Sequence, residues 1–257
     1  MEYSKKCNDL SGKEWLQNSF SIWRNLSKTK EEKDFKHPAS YPVELCEKII
    51  KTFTKPDCKV LDPFNGIGST VVACHNLNCN AVGIDLSKEF CDISKKRIAN
   101  DAKIQIINGD SFDELKKLPE EHFDLCLTSP PYWDILNMKR SADMKESINY
   151  SESLNDVGNI PNYDDFIDTL KKLFNEVQRV LKSGGYCVVN VMDIRKKSEF
   201  YPLHSDLSTA LKEIGYIYDD LIIWDRQSDY NNMRPLGYPY KFRVNKVHEY
   251  LMIFIKR

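Results

Sequence analysis

Between residues 60 and 192, short apolar runs alternate with longer stretches in which apolar side chains recur every three or four positions. Val60-Leu61, residues 81–84, residues 104–107, the run Phe123-Asp124-Leu125-Cys126-Leu127 up to Ser129, and residues 186–192 read as strands. Residues 69–77, 88–100 and 164–181 read as the helices between them, the last closed by Ser183-Gly184-Gly185 as a C-cap. Such alternation requires crossover connections, so the pattern predicts an α/β fold around a parallel sheet. A short helix at 207–214 ended by Gly215, then strands at 218–224 and 250–255, complete an expected set of seven strands.

Ahead of this core, Trp15, Leu16, Phe20, Trp23 and Leu26 have helical spacing over 12–26, and the charged stretch 28–36 reads as an exposed linker. Pro42 suits the first position of a helix running through Leu45, Ile49 and Ile50 to Phe53. Two stretches break the pattern. Residues 134–162 are polar and aperiodic, too long for an ordinary connection and so functional or disordered. Residues 226–246, between the last two strands, interleave basic and aromatic side chains.

Composition narrows the class. With 257 residues, 41% hydrophobic and 29% charged, the chain suits one sizeable globular core. A net charge of −1 means that a polyanion would have to be met by a local basic surface. The sequence has no bilayer-spanning apolar run and no signal pattern at its start, which predicts a cytoplasmic protein without a membrane partner. The eight cysteines form no C-x-x-C pair, and Cys74, His75 and Cys79 lack a second ligand pair, so reduced thiols and no metal are expected.

The candidate chemistry lies at strand ends, where open α/β sheets bind ligands. Asp62-Pro63-Phe64-Asn65-Gly66-Ile67-Gly68 leads from the first core strand into a helix, and Gly66 and Gly68 permit close backbone approach. The third glycine of a dinucleotide fingerprint is absent, which argues against a pyrophosphate ligand. Asp85 ends the next strand, where a carboxylate can accept both hydroxyls of a ribose or cap the following helix. Asp110 ends the third, beside Phe112, whose ring can pack on a purine. Thr128-Ser129-Pro130-Pro131-Tyr132-Trp133 follows the fourth; consecutive prolines force a rigid exit from the sheet.

Taken together, Asp62-Pro63-Phe64 with Gly66 and Gly68, then Asp85, Asp110 and Ser129-Pro130-Pro131-Tyr132, resemble the S-adenosylmethionine-dependent amino-methyltransferases of DNA. His37-Pro38-Ala39 resembles the segment of that family that closes over the cofactor, and His248-Glu249-Tyr250 its last core strand. The resemblance implies a single Rossmann-like methyltransferase domain over 37–257, with residues 1–36 packed on it, a mostly parallel seven-stranded sheet, helices on both faces and an antiparallel last strand. It implies S-adenosylmethionine as cofactor, with Asp62 on the methionine amino group, Asp85 on the ribose, Asp110 on the adenine amino group, Phe64 and Gly66 at the methionyl end, and Gly68, His37 and Pro38 nearby. DNA is the implied partner, and a homodimer and a paired restriction endonuclease stay open. No separate target-recognition domain stands out, which leaves sequence specificity unassigned.

In this family the Ser-Pro-Pro-Tyr form is typical of cytosine-N4 enzymes and Asp-Pro-Pro-Tyr of adenine-N6 ones. The expected reaction is therefore methylation of the N4 amine of a flipped cytosine, with adenine N6 the close alternative and an RNA or small-amine methyltransferase or a silent nucleic-acid-binding partner behind it. The Ser129 hydroxyl and Pro130 carbonyl would each accept one N–H of the amine, Pro131 would stiffen the corner and Tyr132 would stack on the base. Carbon-5 methylation needs a thiolate from a Pro-Cys pair, which the chain lacks. Nucleic acid is expected at Trp133 beside the corner, at Lys139 and Arg140 on the first irregular stretch, at Arg226, Arg234, Tyr238, Lys241 and Arg243 on the second, and at Arg195-Lys196-Lys197 as a third candidate.

Overall fold

The computed structural model describes residues 6–35, 40–99, 101–134, 156–196, 198–230 and 235–257. In chain order the elements are α1 (Gly12–Asn18), β1 (Ile22–Trp23), α2 (Lys30–Asp34), α3 (Val43–Phe53), β2 (Lys59–Asp62), α4 (Ser69–Asn76), β3 (Asn80–Asp85), α5 (Lys88–Arg97) and β4 (Ile104–Asn108). They continue through α6 (Ser111–Lys117), β5 (Phe123–Thr128), α7 (Tyr163–Val180), β6 (Leu181–Val191), β7 (Ile194–Lys196), β8 (Glu199–Tyr201), α8 (Leu203–Glu213), β9 (Tyr216–Asp225) and β10 (His248–Lys256).

The main sheet runs β1-β9-β10-β6-β5-β2-β3-β4, with β7 and β8 as a separate hairpin. From β6 to β4 every pairing is parallel, while β10 is antiparallel to both its neighbours. The eighth strand of the main sheet, absent from the sequence reading, is the two-residue β1 on the edge of β9. The chain winds outward from β2 through β3 to β4 and then returns to β5, so strand order reverses between β2 and β5, and the crevice above their carboxyl ends is where such sheets bind ligands.

Side-chain alternation along the strands feeds two cores. Leu125 and Leu127 face a layer with Leu45, Ile49 and Ile50 of α3 and Val71 of α4, whereas Cys126 joins Phe166, Leu170, Leu173 and Phe174 of α7 on the other face. Helices thus cover both faces, as the alternation requires.

Three local expectations fail for physical reasons. The helix expected over 12–26 stops at Asn18, because Trp23 and Leu26 bury against the core through the turn into β1, while Trp15, Leu16 and Phe20 stay exposed. The expected linker contains α2, fixed by a capping box between Thr29 and Glu32; Glu32 is buried and accepts the Val43 N–H at 2.7 Å. Ser183-Gly184-Gly185 lies inside β6, where the pairing with β5 shifts register between Phe123 and Leu125, and Gly184 has φ +74°. The glycines serve a strand irregularity rather than a helix cap. Among the described residues no helix is long and apolar enough to cross a membrane, and no group of His, Cys, Asp and Glu side chains is arranged to hold a metal.

Candidate active site

At the reversal point the ends of β2 and β5 are tied together: Thr128 Oγ1 donates to Asp62 Oδ1 at 2.7 Å. The Phe64 backbone N–H donates to the same oxygen at 3.0 Å, and Thr70 Oγ1 and Tyr41 Oη stand 2.6 and 3.0 Å from Oδ2. Asp62 is 1% exposed, and burial raises its pKa against these hydrogen bonds. Its acceptor sites are filled from within the chain, so the carboxylate braces the loop rather than presenting an open lone pair.

Gly66 and Gly68 act on the same frame. Gly66 has φ +52°, and its N–H donates to Asp85 Oδ2 at 2.6 Å. Gly68 has φ +87°, and a Cβ there would fall 2.1 Å from Ser94 Oγ, so this glycine lets α4 start against α5. Asp85 is 5% exposed; its other oxygen accepts the Ser87 N–H at 2.8 Å. Burial pushes its pKa up to about 6, opposed by the two N–H groups and reinforced by the nearby charges of Asp62 and Asp156. Each oxygen retains one acceptor direction.

Asp85 opens onto a cleft of about 450 Å³, counting space open to solvent, whose lining includes Phe64, Leu86, Phe112, Pro131, Val157 and Leu173 with the carboxyl groups of Asp85, Asp110 and Asp156. Asp110 caps α6, accepting the Phe112 N–H at 2.9 Å. The charged side chains of this lining are all acidic, which suits a flat ligand rich in N–H and O–H donors and disfavours a phosphate. Of the residues expected at a cofactor, Phe64, Asp85, Asp110 and Phe112 meet here; Asp62, Gly66 and Gly68 are not part of the lining, and His37 and Pro38 fall outside the described residues.

Pro131 brings the Ser-Pro-Pro-Tyr corner to the cleft wall. Ser129 Oγ donates to the Asn190 carbonyl at 3.1 Å and lies 3.2 Å from Tyr132 Oη. Tyr132 Oη in turn donates to Glu249 Oε2 at 2.7 Å, and Asn190 Nδ2 donates to both at 3.0 and 2.5 Å. Burial first and the Glu249 charge second hold the Tyr132 pKa well above its ordinary value, so the hydroxyl remains a donor. The corner is therefore anchored to β6 and β10 by a network that no local motif announces.

Two residues expected at nucleic acid do other work. Trp133 is 4% exposed, its Nε1 donates to the Ile160 carbonyl at 2.8 Å, and its ring meets Tyr163, Tyr201 and Lys196. Such packing leaves it no free face for a base. Arg226 pairs with Glu249 and Asp229 and lies over the rings of Trp224 and Tyr230, so its guanidinium neutralises the buried Glu249. Lys139, Arg140 and Arg234 lie outside the described residues. Tyr238, Tyr240 and Phe242 are 77, 94 and 93% exposed, with Lys241 between the last two and Arg243 after them. This segment meets the β7–β8 hairpin, where Lys246 lies over Phe200 at 4.8 Å and Arg243 donates to the Ser198 carbonyl at 3.5 Å. Two of the basic stretches thus form one surface.

A family model described as DNA methylase, of the N6/N4 type, matches residues 1–96 and 123–257, nearly the whole chain. The chain belongs to this family. A general methyltransferase-domain model also matches residues 61–141 of this DNA methylase family member. Among curated relatives, the Type II methyltransferase M.BglII of Bacillus subtilis is 34% identical over 115 residues, 44% of this chain and 31% of that one. The Type II methyltransferase M.MthZI of Methanothermobacter thermautotrophicus is 28% identical over 158 residues, 56% of this chain and 42% of that one. The chain thus spans less than half the length of these relatives. The precorrin-6y C5,15-methyltransferase of Geobacter metallireducens GS-15 shares the fold, with a TM-score of 0.53 at 12% identity over 90% of this chain and 99% of that one.

The network around Tyr132 draws in Asn190 and Glu249, and the cleft draws in Asp156, none of which stood out as a site residue in the sequence. For Glu249 the hint was a charge at the head of the apolar run of β10, in the His248-Glu249-Tyr250 segment. For Asp156 the hint was an Asp-x-Gly turn, which occurs in many loops.

Proposed function

We propose that this DNA methylase transfers the methyl group of S-adenosylmethionine to the exocyclic N4 amine of a cytosine turned out of DNA, in the cytoplasm, and that residues 37–257 form the transferring domain. The observation that carries this reading is the junction at the β2/β5 reversal, where an acidic, donor-seeking cleft shares Pro131 with the Ser-Pro-Pro-Tyr corner. S-adenosylmethionine, when bound, supplies a methyl group made electrophilic by its sulfonium. Asp85 would accept ribose hydroxyls through its free acceptor directions, Asp110 the adenine amino group, and Phe112 and Leu86 would pack on the ring. Asp62 would act on the methionyl ammonium through its buried charge, across the loop that it braces.

At the corner, the Ser129 hydroxyl spends its one proton on the Asn190 carbonyl, which leaves its lone pairs for an N–H of the substrate. The Pro130 carbonyl would take the other N–H. Two acceptors on one conjugated amine favour a pyramidal nitrogen whose lone pair can reach the methyl group, a positioning and electrostatic effect. Tyr132, fixed by Glu249 and Asn190, would offer its ring to the flipped base, worth about 1–3 kcal/mol. DNA would lie on the joined surface of the β7–β8 hairpin and residues 235–247.

The test is digestion to nucleosides of DNA incubated with the protein and S-adenosylmethionine, followed by mass analysis. N4-methylcytosine is expected; N6-methyladenine in its place would overturn the cytosine assignment, and transfer to tRNA alone would overturn DNA as substrate.

A further inference from the structure

Among the described residues, Asp156 is the carboxyl group of the cleft with a buried oxygen that has no partner. Asp156 is 6% exposed and stands at the head of a one-turn 3₁₀ segment, Val157–Asn159. Its Oδ1 accepts the Gly158 N–H at 2.8 Å, whereas Oδ2 is buried with no hydrogen-bond partner among the described residues. A buried acceptor without a donor is uncommon in a folded chain and marks a place where something else supplies one. Its side chain lines the cleft together with Asp85, Asp110 and Pro131.

The position is built rather than incidental. The turn sits on the catalytic corner: a Cβ on Gly158 would lie 3.4 Å from Pro131 Cβ and 3.7 Å from the Trp133 carbonyl oxygen. The Trp133 indole holds the following Ile160 carbonyl at 2.8 Å. The cap fixes Oδ1 and with it the place of Oδ2, whose acceptor directions are both unused. Among the described residues no basic side chain stands in the lining to neutralise it, so the complement it seeks is a ligand N–H or O–H.

Resting on the cofactor reading above, we propose that Asp156 is a third nucleoside-binding carboxylate of the cleft, whose Oδ2 accepts an N–H or O–H from the adenosine part of the methyl donor. It completes a set in which Asp85 and Asp110 come from strand ends and Asp156 from the far side of the catalytic corner. The adenosine half is favoured over the methionyl half because Asp85, Asp110 and Phe112, the groups read at ribose and adenine, all share the lining with Asp156, whereas of the methionyl-side residues only Phe64 does.

Calorimetry separates the possibilities. Binding of S-adenosylmethionine, S-adenosylhomocysteine and methylthioadenosine is compared for the wild-type chain, Asp156→Asn and Asp156→Ser. Asparagine keeps a capping oxygen for Gly158 and turns an N–H toward the ligand; serine keeps the cap and withdraws the second oxygen. Both variants are expected to melt within a few degrees of wild type and to bind all three ligands at least tenfold more weakly. Unchanged binding in the variants beside tight wild-type binding overturns the role of Asp156 alone, as does a loss confined to the sulfonium ligand, which would make the carboxylate a charge partner. Failure of the wild-type chain to bind any of the three overturns the cofactor reading and this role with it.

Discussion

Asp85 shows how one side chain can carry a pH response. Its folded pKa of about 6 lies above the ordinary 3.8, so the folded chain binds more protons between those values and Asp85's contribution to stability falls as pH rises through that window. Ligand binding runs the other way, because only the ionised carboxylate keeps acceptors for both hydroxyls. S-adenosylmethionine affinity measured from pH 8 to pH 5 is expected to fall below pH 6 by up to about tenfold per unit, and Asp85→Asn to flatten the profile while binding weakly throughout. Ser129→Ala should leave that affinity within about twofold and lower turnover by roughly 10²-fold, since it withdraws one of the two amine acceptors; equal losses in both would contradict the division of roles. Phe64, Asp85, Asp110, Phe112 and Pro131 were legible in the sequence because a strand end followed by a turn announces itself locally. Asn190 and Asp156 were not, because what gives them meaning is distant: Ser129 reaches Asn190 across 61 positions. Trp133, expected at nucleic acid, is instead held within the chain through its indole N–H, at φ +52°, a conformation that a bulky residue holds only when its surroundings impose it.

Elements proved legible where the period was clean and opaque where tertiary packing overrode it. The pattern at 164–181 gave α7 to within a residue, since Phe166, Leu170, Leu173, Phe174 and Val177 keep one buried stripe. The same spacing at 12–26 misled because its apolar residues serve two elements, and the paired glycines at 184 and 185 carry a strand irregularity that resembles a cap in sequence. The glycine-bearing turn before α4 makes a sharp prediction. Gly68→Ala places a Cβ 2.1 Å from Ser94 Oγ at a φ of +87°, and should cost roughly 2–4 kcal/mol by urea unfolding. Adding Ser94→Ala should recover only part of that, because Ser94 Cβ would itself stand 2.9 Å away. At the junction of β9 and β10, Arg226→Met should lower stability by about 3–5 kcal/mol in the same assay, since it leaves the buried Glu249 uncompensated beneath Tyr132.

For the molecule as a whole, the near-zero net charge makes the placement of charge decisive. The β7–β8 hairpin and residues 235–247 gather Arg195, Lys241, Arg243 and Lys246 beside exposed rings. If DNA lies there, Lys241→Ala should weaken binding uniformly across sequences and reduce the slope of log affinity against log salt by about one, whereas Tyr240→Ala should weaken binding with little change in slope. Fluorescence anisotropy at several salt concentrations distinguishes the two, and S-adenosylmethionine affinity should stay as in wild type for both. The indole of Trp133, finally, staples the point where the chain leaves the corner to the point where it comes back at Ile160. Because that staple closes over the turn bearing Asp156, slackening it would shift one wall of the cleft and the corner together.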